Sequence, residues 1–248
     1  MMYIFDIESI MTGLFKSDED ALWITHRYAE VHGEQTEEGQ AMCAIVSDPK
    51  DADKNVLNMM AHFDRVCADC NVAIGNINTP TQLVFSGQRD DIQRAIDMMN
   101  AETLYDGKLR HRYLDIGGAY HSHFMRGLRG KYDGYWTQIE LNEALRCDVY
   151  LNALGNRYDK STNIVPLLAG QLHSRVYWHD CVVKYLENTM GGEGEEEFEH
   201  VFIEVGPKKV CAKMIDQIVK FWGYDQRNQV RTMSVENAKT IPLIESVL

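Results

Sequence analysis

No run of apolar residues in this 248-residue chain approaches the roughly 18 needed to cross a bilayer. The opening residues, MMYIFDIESI, lack the basic n-region of a secretory signal and carry Asp6 and Glu8. Excess positive charge is missing as well: 25 Lys+Arg stand against 37 Asp+Glu, a net charge of −12. Phosphate-backbone binders draw their affinity from clustered lysine and arginine, so nucleic acid is excluded as a principal partner. A second cysteine pair is absent too. Cys67-Ala-Asp-Cys70 has no companion at zinc-finger or zinc-ribbon spacing and no thioredoxin-like context, which leaves two thiols near a helix end. Six cysteines without a secretory start read as reduced thiols. The absences together point to a cytoplasmic protein working without membrane, nucleic acid or metal.

What is present is ordinary globular composition, with 45% apolar and 25% charged residues, in a length that suits one large domain or two modest ones. Ser17 followed by Asp18, Glu19 and Asp20 marks a helix start. Those acids meet the positive end of the helix dipole, and Leu22, Ile24, Tyr28 and Val31 follow at helical spacing. The next stretch reads as a small module. It has a strand at 41–46, a helix at 51–63, strands at 72–74 and 82–85 joined by the turn-rich string GNINTP, a helix at 88–102 and a strand at 112–116. The order β-α-β-β-α-β is the split ferredoxin-like pattern. From there helices (122–128, 136–146, 163–173, 176–189, 209–221) alternate with strands (148–151, 201–205, 230–233), which predicts a largely parallel sheet. The expected organisation is an α/β core formed by residues 1–39 and 118–248, with a ferredoxin-like module at 40–117 inserted in it.

His121 directly follows the module, where the chain returns to the core. A histidine on such a loop can face a cleft as a general base, although nothing local fixes its partner. Four strings stand in order along the chain: Asn76-Ile-Asn-Thr-Pro-Thr-Gln-Leu-Val-Phe-Ser-Gly87, Gly118-Ala-Tyr-His-Ser-His-Phe-Met125, Gly170-Gln-Leu-His-Ser-Arg-Val-Tyr-Trp178 and Phe202-Ile-Glu-Val-Gly-Pro-Lys-Lys-Val210. They resemble NxNSPxQxVxSG, APFHSxxM, RQLxxPVxW and FxEVGPGKV, the signatures of malonyl-CoA:acyl-carrier-protein transacylases and polyketide-synthase acyltransferase domains. That family has an α/β-hydrolase-like core with an inserted ferredoxin-like subdomain.

The resemblance implies ping-pong acyl transfer without metal or redox cofactor. A serine in a GHSxG elbow attacks an acyl-CoA thioester, a histidine acts as base, and the phosphopantetheine thiol of an acyl carrier protein takes the acyl group. By resemblance His121 is the base, and the backbone carbonyl of Gln171 accepts its ring N–H in place of an acidic side chain. An arginine that clamps the malonyl carboxylate falls on Arg27 in an ungapped register. A one-residue shift would put Tyr28 there, but needs a compensating gap before Met42. Met42 and Tyr120 become pocket-lining candidates. Arg126, Arg129 and Lys131 are a candidate dock for an acidic carrier protein.

The resemblance also exposes a departure, because no GxSxG occurs in the sequence. The serine position falls on Met2 and the elbow glycine after it on Ile4. Ser9, the nearest hydroxyl, is flanked by Ile7 and Met11, which a strained elbow would not accommodate. Three expectations follow: an enzyme whose elbow-bearing part lies outside this sequence, a split enzyme whose elbow comes from another chain, or a non-catalytic relative that binds a carrier protein or synthase partner.

Overall fold

A computed structural model describes residues 12–34, 37–47, 57, 60–102, 109–143, 145–159, 161–190, 199–206, 208–227 and 230–236. Met2, Ile4 and Ser9 lie outside them, as do 191–198 of the acidic run and 51–56 of the expected second helix.

Helix α1 (Asp18–Glu34) begins where the sequence places it, with the Ser17 Oγ accepting from Asp20 N at 3.1 Å and three acids in the first turn. Ala21, Ile24 and Val31 form its buried stripe, and Tyr28 packs partly buried beside them. Leu22 faces solvent, so Ala21 takes the inward place expected of it.

The module is a four-stranded antiparallel sheet of β1 (Gln40–Val46), β2 (Ala73–Thr79), β3 (Gln82–Gln88) and β4 (Arg110–Tyr113) in the order β2-β3-β1-β4. With helices α2 (Met60–Asp69) and α3 (Arg89–Ala101) this is the split β-α-β-β-α-β topology. Cys43, Ile45, Ile74, Ile77, Leu83 and Phe85 pack against Phe63, Ile92 and Ile96 of the helices. The opposite face is buried as well: Met42 pairs with Ser86 and Val84 with Asn76, all under 6% exposed. Two buried faces explain why β1 and β3 read as nearly unbroken apolar runs.

The GNINTP string is mostly strand rather than turn. β2 runs through Thr79, and only Pro80 and Thr81 connect it to β3. Bulges at Gly75 and Asn78 keep Ile74 and Ile77 on the helix side while burying Asn76 and Asn78. Polar residues with a buried role disguised the strand. Helix α2 runs on to Asp69, and Asn71 closes it in a left-handed conformation (φ 57) with Val72 N bonded to Cys67 O at 2.7 Å.

Beyond the module, a 3-10 turn (His123–Leu128) leads into α4 (Arg129–Trp136). The helix expected at 136–146 does not form. Phe15 bridges Leu141 instead, and Asn142 Nδ2 donates to the carbonyls of Gly13 and Phe15. β5 (Tyr150–Leu151) and β6 (Asn156–Arg157) make a short hairpin, followed by α5 (Ile164–Gly170), a 3-10 turn (Gln171–His173) and α6 (Trp178–Met190). β7 (His200–Val205), α7 (Cys211–Phe221) and β8 (Val230–Val235) close the order. β7 and β8 pair in parallel, as predicted for this half, whereas β5 and β6 pair antiparallel. One core cluster joins α1, α4 and α5; another joins α6, α7, Phe202 and Val230. Among the described residues no helix is long and apolar enough to cross a membrane.

Candidate active site

The loop that leaves the module is held from three sides. Ala119 N donates to the Oε1 of Gln40 at 3.3 Å, and the Ser122 Oγ donates to Ala119 O while accepting from Phe124 N. Between them His121 has a left-handed backbone (φ 58) and donates its N–H to Leu172 O at 2.7 Å. A non-glycine residue in that region costs of order 1–3 kcal/mol and persists only where its surroundings dictate it.

The His121 Nδ1 lies 3.0 Å from the Gln171 carbonyl oxygen. A carbonyl can only accept, so in the neutral ring Nδ1 carries the proton and Nε2 the lone pair. Ser174 N donates to the same oxygen at 3.3 Å, which occupies its second lone pair and fixes the turn. The structure therefore brings His121 and Gln171 together, in the arrangement expected of a base oriented by a carbonyl.

Behind His121 stands Gly75 of β2. A Cβ built there would lie 3.4 Å from the His121 Cβ, 3.3 Å from Tyr120 O and 2.7 Å from the Ser86 Oγ. The sheet's second buried face, with Met42, Val84, Ser86 and Asn76, is thus pressed against the histidine loop. Met42 is 4% exposed on that face. Tyr120 is partly buried against the cluster of α1, α4 and α5, and burial pushes its phenol up. Gly75 was invisible as a site residue in the sequence; a glycine inside a strand is the signal that could have found it.

Arg27 makes its contacts on its own helix. Its Nη1 binds Glu30 Oε2 at 2.6 Å, its guanidinium lies 5.5 Å from the Trp23 ring centroid, and its side chain is 41% exposed. The inward position is the next residue. Tyr28 donates its hydroxyl to Leu168 O at 3.0 Å, one turn before Gln171, and accepts from Trp136 Nε1 at 2.9 Å. Helical phase, with Ala21, Ile24 and Val31 inward, turns Arg27 away from the stripe. Tyr28, the residue a one-residue shift would select, is thus the one packed inward.

Of the basic residues beyond His121, Arg129 bonds Asp133 at 2.9 Å and reaches the His173 Nε2 at 3.4 Å. Arg126 and Lys131 are exposed. Burial together with Arg126 lowers the His123 imidazole, whose Nε2 lies 3.0 Å from Asn71 Oδ1. A cavity of about 200 Å³ lies beside the site, lined by Leu14, Leu145, Val149, Leu151, Ile164 and Gln171 among others. The CxxC thiols take no part. Both are buried, desolvation pushes the Cys67 thiol far up, and Cys70 Sγ rests on Met98 Sδ. Among the described residues no cluster of His, Cys, Asp and Glu could hold a metal ion.

No protein-family model matches the chain. Its sequence is 31% identical over 147 residues to the polyketide biosynthesis malonyl CoA-acyl carrier protein transacylase BaeC of Bacillus velezensis, covering 59% of this chain and 46% of that protein. It is 25% identical over 229 residues to the malonyl CoA-acyl carrier protein transacylase of Bacillus subtilis, covering 92% of this chain and 63% of that one. The chain thus spans about half to two thirds of the length of these relatives. In fold it superposes on the malonyl CoA-acyl carrier protein transacylase of Clostridium perfringens with a TM-score of 0.75 at 21% identity, covering 96% of this chain and 66% of the other. In sequence the chain is similar to malonyl CoA-acyl carrier protein transacylases over part of their length, and it shares the fold of a solved one.

Proposed function

We propose that these residues form the base-bearing part of an acyltransferase site that moves an acyl group, malonyl in the named relatives, from CoA to the phosphopantetheine thiol of an acyl carrier protein in cytoplasmic fatty-acid or polyketide synthesis. The observation that carries the proposal is the left-handed His121 with Nδ1 on the Gln171 carbonyl. That contact presents Nε2 as proton acceptor. A serine hydroxyl gives its proton to Nε2 as its oxygen attacks the thioester carbonyl, and the imidazolium returns the proton to the departing CoA sulfur. The carrier thiol then repeats the sequence against the acyl-serine, with serine as the leaving group. One thioester is exchanged for another, so no redox cofactor is needed, and a carbonyl partner suffices because the imidazolium exists only transiently.

No GxSxG occurs in the sequence, so this reading requires that a serine elbow be supplied to these residues. The test is complementation. The chain is mixed with the elbow-bearing part of the B. velezensis relative, malonyl-CoA and holo carrier protein, and malonyl-carrier is measured by intact mass. The expected result is transfer that needs both parts and is abolished by His121→Ala, since losing the catalytic machinery forfeits on the order of 10⁶-fold. Transfer unaffected by His121→Ala, or a malonyl adduct on the chain alone, would overturn it. A second reading, a non-catalytic protein that binds a carrier, is favoured by the absent GxSxG. Carrier binding with no transfer on complementation would select it.

A further inference from the structure

The turn that holds His121 also holds the module. Gln171 O and Leu172 O accept from the histidine, and four residues later Val176 adds itself to the outer edge of β2. Val176 N donates to Gly75 O at 2.8 Å and Ile77 N donates to Val176 O at 2.9 Å, a parallel bridge on the outer edge of β2. Between these two grips stands Arg175. Its Nε donates to Ile74 O at 3.0 Å, and its Nη2 donates to Asp64 Oδ1 of α2 at 2.5 Å. The arginine is three-quarters buried, so these bonds are shielded more than those of a surface pair. In the family string RQLxxPVxW this position is proline, which offers neither donor.

We propose that Arg175 is a positioning residue for His121. By tying segment 171–177 to both β2 and α2, it fixes how closely Gly75 and the module's buried face press on the histidine loop. That sets the direction in which the imidazole presents Nε2. A guanidinium suits the task because its fork reaches a backbone carbonyl and a carboxylate at once; a lysine ammonium has no such fork. The catalytic meaning rests on the acyltransfer reading above, whereas the positioning does not.

The test uses Arg175→Met, which keeps the aliphatic stem and loses both donors, with Arg175→Lys and Asp64→Asn beside it. The readouts are amide hydrogen exchange and the ring signals of His121 in ¹⁵N spectra. Arg175→Met is expected to speed exchange at His121, Ile77 and Val176 by at least about ten- to a hundredfold, the range a single charge-assisted bond covers when exchange follows local opening. It also shifts the His121 ring signals, while α7 and β8 keep their protection. Arg175→Lys and Asp64→Asn fall between. Uniformly faster exchange with unmoved His121 ring signals would reduce Arg175 to a general stabiliser and overturn the proposal, as would no change at all. If the ring signals shift but complementation yields no transfer, the positioning stands and the acyltransfer reading fails.

Discussion

Gly75→Ala tests whether the module is truly seated on the histidine loop. Gly75 is not among the glycines with a left-handed backbone, so alanine is torsionally acceptable and the cost is steric. The added methyl would lie 2.7 Å from the Ser86 Oγ and 3.3 Å from Tyr120 O. Overpacking of this kind costs about 1–3 kcal/mol, and relief of unfolded-chain entropy returns about 0.4–1 kcal/mol. The net expectation is a loss of about 1–2 kcal/mol, or a fall in Tm of about 2–8 °C for a domain of this size. Urea denaturation gives the stability, and ¹⁵N spectra follow His121. Ser86→Ala should cost little alone, because the Ser86 Oγ is buried without a partner among the described residues. Combined with Gly75→Ala it removes the shortest contact and should restore most of the loss, a coupling that a double-mutant cycle reads directly. A Gly75→Ala protein as stable as the parent, with His121 unmoved, would refute the close approach.

Four further outcomes follow from the structure. Tyr28→Phe removes the hydroxyl between Leu168 O and the buried Trp136 indole, and should cost about 1–3 kcal/mol by denaturation. Arg27→Ala should cost less than about 0.5 kcal/mol and leave the malonyl-to-acetyl preference of the complemented enzyme unchanged; selective loss of malonyl transfer would return the carboxylate clamp to Arg27. Glu204 accepts from the backbone of Val210 and Ala212 at the start of α7. Burial raises its carboxyl, but the N–H groups of Ala212, Cys211 and Val210 together bring it below the usual value. Its contribution is therefore present above the unfolded pKa and is lost as pH falls through the depressed one. Glu204→Gln should cost about 1 kcal/mol at pH 7 and progressively less in acid; an equal loss at pH 7 and pH 3 would contradict it. Brief alkylation of the native protein should label the exposed Cys147 and spare Cys67 and Cys181, whose thiols burial pushes up, to about 12 for Cys181, as peptide mass mapping would show.

The module was legible because its helices and strands alternate cleanly, and the His121–Gln171 pair because the resemblance names both. Three features were hidden for physical reasons. Asn76 and Asn78 look like turn formers, yet serve a strand whose second face is covered by another part of the molecule. Residues 137–146 carry apolar spacing suited to a helix, but Leu141 and Asn142 are claimed by the segment around Phe15, a tertiary demand no local pattern reveals. The Arg27 register turned on one residue. Sequence spacing cannot show which side of α1 faces inward when Leu22 and Ala21 are both plausible; burial of Ala21, Ile24 and Val31 shows which side that is.

The tautomer of His121 bears most directly on the proposed base. Long-range ¹⁵N correlation spectra of the neutral form, assigned by His121→Gln, distinguish a proton held on Nδ1 from one held on Nε2. A fixed Nδ1–H tautomer is expected, opposite to the preference of free histidine, because the Gln171 carbonyl can only accept. An Nε2–H form, or rapid averaging of the two, would mean that the carbonyl does not orient the ring and that His121 is not held ready as a base.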